Sequence, residues 1–234
     1  MRLHSLILLC LLPALATAEF RAGVARVNLD PPPGMEMSGF SARKGVSQGM
    51  LDPLQARVLA LSDDRRTLAL VTLDLIFPFE LPEMDKIRAA VRPKGVDEVI
   101  FHSSHTHSGP TYSTNAAAYE KAVGLVEGAV LKAASALEPV RVGDGWGIAY
   151  IGFNRRHIMP GGEARMLWRN ETMISTFPVD PTVGVIRLDR AGGRPLAILV
   201  NYACHPVVLG PDNLDYSADY PSEMRKVVEA GMGG

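Results

Sequence analysis

The sequence predicts an α/β domain: a mixed β-sheet with flanking helices, incomplete at its C-terminus. Short apolar or alternating runs bounded by turn residues read as strands, some of them joined as hairpins. Longer runs with apolar residues at helical spacing read as helices between them. Hairpins interleaved with strand–helix–strand order argue for a mixed sheet rather than a purely parallel one. The last helical run is followed by Gly231-Met232-Gly233-Gly234, with no further strand or cap.

Arg21 to Asp30 reads as a first strand, stopped by the rigid turn Pro31-Pro32-Pro33-Gly34. Met35 to Met50 is rich in Gly, Ser and Met and reads as a loop lining a cleft. Gln55 to Leu61 and Thr67 to Phe77 form an expected hairpin across the turn 62–66. Asp74 lies in the second of these runs, where a carboxylate is costly unless paired. Pro82-Glu83 opens a helix to about Val91. Val96 to Phe101 is the next strand.

Asn115 to Leu137 carries Tyr119, Val123, Val126, Val130 and Leu137 at helical spacing. Val140 to Val142 begins another strand, and the glycines around Asp144 read as a turn. Arg155 to Pro178 reads as irregular. Val183 to Leu188 and Leu196 to Tyr202 form a second expected hairpin. Ser222 to Glu229 starts the final helix.

Residues 1–18 read differently from the rest. A basic start leads into an apolar run from Ser5 to Leu15, and Ala16-Thr17-Ala18 is a small-residue cleavage signature. This is the pattern of a secretory signal peptide, and the apolar run is short for a membrane span. The expectation is a secreted or periplasmic protein, with residues 19–234 as one domain. Of the two cysteines, Cys10 falls in the leader, which leaves Cys204 without an intramolecular disulfide partner. Formal charge is -1 at pH 7 and the basic residues form no stripe, which argues against nucleic acid as a partner. The sequence sets no oligomeric state.

The chemistry concentrates in Phe101-His102-Ser103-Ser104-His105-Thr106-His107-Ser108-Gly109-Pro110, which holds three of the six histidines. On an extended backbone, residues two apart point to one side, so His105 and His107 are expected to face one cleft. His205 follows an apolar strand and is expected to meet them from a distant part of the chain. Imidazole is a good zinc ligand when neutral. His102 reads as a packed or supporting side chain, and Cys204 as a small buried hydrophobe. Asn154, Arg155 and Arg156 are candidates for binding an acyl, phosphate or carboxylate oxygen. Asp219 precedes the last helix and either caps it or orients a metal-bound histidine.

These landmarks resemble the neutral/alkaline non-lysosomal ceramidase family. They are Gly23 to Leu29 with its proline turn, Met37-Ser38-Gly39-Phe40, the strand to Asp74, His105-Thr106-His107-Ser108-Gly109-Pro110, Asn154-Arg155, Asp180-Pro181 and Ala203-Cys204-His205-Pro206. The histidine run is the specific piece; the others are individually loose.

The resemblance implies a zinc amidase that cleaves the N-acyl bond of ceramide or a related lipid amide. It implies His105 and His205 as zinc ligands and His107 as their catalytic companion; Arg155 and Asp219 are the further catalytic candidates. The family completes its zinc shell with a glutamate and a tyrosine, and adds an active-site serine, all farther along than residue 234. The resemblance therefore implies the N-terminal part of a longer catalytic domain. A lipid substrate also implies peripheral contact with membrane lipid. Arg156 stands where the family has serine, and Pro206-Val207 where a glycine–threonine pair is frequent. The alternatives are a hydrolase for another amide or ester, or a non-catalytic secreted binding module that keeps the fold.

Overall fold

The computed structural model describes residues 19–173 and 178–233. The expected leader lies outside the described residues. Strand β1 spans Arg21–Asn28, β2 Gly49–Met50, β3 Gln55–Ser62, β4 Thr67–Leu73 and β5 Glu98–Ser103. Then follow β6 Glu138–Ile148, β7 Arg156–Ile158, β8 Ala164–Met166, β9 Thr182–Arg190, β10 Pro195–Tyr202 and β11 Asp215–Tyr216. Helix α1 spans Leu81–Val91, α2 Ala116–Ser135 and α3 Tyr220–Gly231.

Seven strands form one sheet in the order β10-β9-β6-β1-β3-β4-β5. Its neighbours run antiparallel except β4 and β5, which are parallel. The parallel pair needs a crossover, and α1 supplies it. This is the mixed sheet that the sequence predicts.

Alternation along β4 puts Ala69, Val71 and Leu73 on one face, each fully buried. They meet Ile87 and Val91 of α1 and Val126 and Val130 of α2 in the main core. Each such side chain contributes about 1.5–3 kcal/mol on burial. Asn115 caps α2 by accepting from the Ala118 amide at 3.0 Å, which satisfies a donor the helix leaves free. Close approach of α2 to β1 depends on Gly23, where a Cβ would lie 2.1 Å from the Ala133 carbonyl oxygen. On the opposite sheet face a smaller cluster joins Ala22, Leu59 and Leu188.

Two expectations need correction. The glycines around Asp144 do not turn: Gly143, Gly145 and Gly147 lie within β6, paired with Arg187, Val185 and Val183. The antiparallel ladder to β9 overrides the local preference of glycine. Within Arg155 to Pro178, β7 and β8 pair as a short hairpin, with Arg156 opposite Met166. Pro160-Gly161-Gly162 carries the turn, and Gly162 has φ +83°.

Candidate metal centre

The site forms where loops leave β4, β5 and β10. The β4–β5 pairing extends past the strand ends, as Ser104 N–H donates to Leu73 O at 2.9 Å and His105 N–H to Leu75 O at 3.0 Å. At His105 the backbone turns left-handed, with φ +66°. The expected extended backbone is therefore absent, and the chain turns at His107-Ser108. The two rings still converge, but through a turn rather than through strand alternation. On the other side the chain has left β10 three residues before His205. The loops touch directly where His107 N–H donates to Pro206 O at 3.4 Å.

Buried hydrogen bonds hold the first loop. Thr106 is fully buried; its hydroxyl donates to Ser217 O at 2.7 Å and accepts from the Ser108 amide at 3.1 Å. Ser217 is held in turn by the carboxylate of buried Asp52. Gly39 lies against the His107 ring, where a Cβ would sit 2.4 Å from its Cγ.

His105, His107 and His205 each present a ring nitrogen, and the three nitrogens lie within 4.8 Å of one another. The imidazoles of His105 and His205 stack at 4.9 Å between centroids. The Nε2 atoms of His107 and His205 are 2.7 Å apart. His105 Nδ1 lies 2.7 Å from Ile76 O. A carbonyl can only accept, so Nδ1 carries the proton and Nε2 keeps its lone pair for a cation.

Arg155 Nη2 lies 3.0 Å from His205 Nδ1. A guanidinium can only donate, so without a cation His205 carries its proton on Nε2 and donates it to His107 Nε2. The proton of His107 then sits on Nδ1, a buried atom beside Gly39. Arg155, His205 and His107 thus form a directional hydrogen-bond chain. Neutral nitrogen donors suit a borderline metal such as zinc. His105 meets that need as it stands; His205 meets it once Arg155 withdraws from Nδ1.

Burial, then the neighbouring His205 and His105, hold His107 down at about 4 against an ordinary 6.5. Burial and then Arg155 also lower His205. The unfolded chain therefore binds more protons than the fold between about pH 6.5 and pH 4. This contribution to stability is fully present above 6.5 and is lost as pH falls toward 4. We expect the urea midpoint of the chelated protein to fall between pH 7 and pH 5, and the fall to shrink in His107→Gln. An equal fall in both proteins would contradict the assignment.

Aromatic side chains flank the trio. Phe40 meets His107 edge-on at 4.9 Å and Phe77 meets His105 at 5.5 Å. Trp168 lies under the Arg155 guanidinium at 5.7 Å. Phe77 and Trp168 are 65% and 71% exposed, so the trio is rimmed by accessible apolar surface. A cleft of about 220 Å³ opens beside His205, lined in part by Gly152, Phe153, Tyr202 and Cys204.

The other sequence candidates fall outside this cluster or support it. His102 is exposed on β5 and bonds Thr72 Oγ1 at 2.8 Å. Asp219 caps α3 by accepting from the Tyr220 amide at 2.7 Å. The same carboxylate accepts from the Val208 and Leu209 amides at 3.3 and 3.0 Å, which ties down the loop after His205. Asp219 makes no hydrogen bond to the trio among the described residues. Cys204 is half-buried at the cleft rather than in the core, because the chain leaves extended geometry after Tyr202.

Asp74 finds its partner in Arg225, which donates from Nη1 and Nη2 at 2.8 Å each. Nothing in its local sequence distinguishes Arg225 from Lys226 or Arg57. Arg43 also went unmarked, inside a loop whose Gly and Ser content reads only as irregular.

Fold and site together define a class: a mixed-sheet α/β domain that gathers three imidazoles on the loops leaving β5 and β10, the two outer strands of the sheet. A solved ceramidase complexed with C2 shares this fold over 86% of the chain, at a TM-score of 0.70 and 20% identity. The neutral ceramidase from Pseudomonas aeruginosa matches over the same share, at a TM-score of 0.66 and 20% identity. The chain spans 34% of the length of each of those structures. The likeness establishes a common fold, in agreement with the fold read from the sequence. No family model matches the chain, and no curated protein matches it.

Proposed function

We propose that this chain forms part of a zinc-dependent amidohydrolase that cleaves the N-acyl bond of ceramide or a related lipid amide. The observation that carries the reading is the meeting of His105, His107 and His205 within 4.8 Å, on a fold shared with ceramidases. A bound zinc ion would polarise the amide carbonyl and lower the pKa of water toward about 7. His105 and His205 are the proposed ligands.

Neutral His107 is placed to take a proton at Nε2 and return it to the departing amine. Arg155 offers its N–H groups to an oxygen of the substrate. Phe77 and Trp168 offer apolar surface to the acyl chain and to a peripheral lipid contact. Asp219 fixes the loop that carries His205. The leader pattern supports a secreted or periplasmic location. Among the described residues no helix is long and apolar enough to cross a membrane.

The test is metal uptake followed by turnover. Purified free of metal, the protein should take up one zinc per chain in a competition titration. The full-length protein, loaded with zinc, should release fatty acid from a ceramide dispersion, while this chain alone, with two proposed ligands, should do so weakly or not at all. Failure to bind zinc would end the reading. Tight binding of ceramide by the full-length protein with no hydrolysis after zinc loading would favour the secreted binding module.

A further inference from the structure

Arg43 donates to three backbone carbonyls on three separate segments. Nη1 reaches Ser38 O at 2.9 Å, Nη2 reaches His107 O at 2.8 Å and Nε reaches Asn213 O at 3.1 Å. All three acceptors are neutral, so the charge is used on carbonyl dipoles rather than on a carboxylate. The planar fork matters here, because a lysine ammonium cannot span the same three directions.

Each of the three segments bears on His107. The first carries Gly39, which lies against the His107 ring, and Phe40, which meets that ring at 4.9 Å. The second carries His107 itself. The third carries Asn213, whose side-chain amide donates to Ser108 Oγ at 3.1 Å. Arg43 also lies over the Phe40 ring at 5.1 Å, so guanidinium, phenyl and imidazole follow one another in contact. The residues around Arg43 in its own loop are largely exposed, with Ser41, Ala42, Lys44, Gly45 and Val46 open to solvent. Little else at positions 41–46 holds this loop against the histidines.

We propose that Arg43 is a positioning residue of the metal centre: it pins the His107 turn between the 38–43 loop and the 213 turn, and so sets the His107 ring against His105 and His205. The inference rests on the reading of the trio as a cation site, and goes beyond it by naming the residue outside the trio that holds its geometry. Loss of Arg43 leaves the ring in place on average but free to swing. A swinging His107 no longer keeps its Nε2 beside the ligand imidazole of His205, and the bound ion loses that supporting contact.

The experiment compares Arg43→Ala, Arg43→Lys and Arg190→Ala. Arg190 is a control of similar build, bonded to Glu138 and to Pro195 O at 2.9 and 2.7 Å on β9. The first readout is zinc affinity by competition with a chromophoric chelator. The second is the imidazole NMR signal of His107 in chelated protein, identified by its absence in His107→Gln.

We expect Arg43→Ala to bind zinc about 10–100-fold more weakly, Arg43→Lys to recover part of the loss, and Arg190→Ala to match the unmodified protein. The His107 signal should shift and broaden in Arg43→Ala while that of His157, on β7, stays put. Unchanged affinity together with an unchanged His107 signal would overturn the inference, as would an equal loss in Arg190→Ala. If Arg43→Ala does not fold, Arg43→Lys carries both readouts. If the unmodified protein binds no zinc, the cation reading fails, and the NMR comparison still decides the role of Arg43.

Discussion

Replacing Arg225 by alanine should destabilise the chelated protein by about 3–5 kcal/mol. The reason is the charge left behind. Asp74 is 1% exposed at its side chain and Arg225 is 15% exposed. The carboxylate also accepts from the Gln55 amide at 2.9 Å, so it cannot turn toward water. A chain of this size loses about 2–4 °C in melting temperature per kcal/mol, so the expected fall is roughly 10 °C. Urea unfolding gives the free energy directly. The paired change Asp74→Leu with Arg225→Met should recover part of the loss, because no unpaired charge remains. If the single change costs as little as a surface ion pair, the buried-pair reading is wrong. The pair also bears on the site: Asp74 directly precedes Leu75 and Ile76, whose carbonyls hold His105.

His105→Ala should weaken zinc binding by more than about 100-fold, beyond the 10–100-fold typical of losing a supporting hydrogen bond. His105 is the imidazole whose proton is already fixed on the far nitrogen by Ile76 O, so its Nε2 is ready for a cation. His102→Ala serves as the control, since that ring is exposed and bonded to Thr72. Its zinc affinity should match that of the unmodified protein. Competition titration measures both. Equal losses in the two variants would mean that zinc is held elsewhere or nonspecifically.

Much of this was legible in the sequence because the signals were local. Strand and helix periods place β3, α1, α2, β9 and β10 within a residue or two of their ends, whereas β4 ends at Leu73, four residues before the expected Phe77, where the chain turns toward the site. The convergence of His105, His107 and His205 was also foreseen, though from an extended backbone that the left-handed turn at His105 replaces. The sequence pattern failed where long-range pairing decided the outcome. Gly143, Gly145 and Gly147 look like a turn until β9 lies beside them. Arg43 and Arg225 look like surface charges, because their acceptors are 64 and 151 residues away for His107 and Asp74 respectively. The direction of the proton chain was invisible too, since it depends on which ring nitrogen Arg155 meets.

His105 occupies a backbone region that glycine enters freely and most side chains enter at a cost of about 1–2 kcal/mol. Glycine at this position would ease that tension and would also remove the imidazole best prepared to hold an ion. Selection for thermal robustness and selection for cation capture therefore pull this one position in opposite directions.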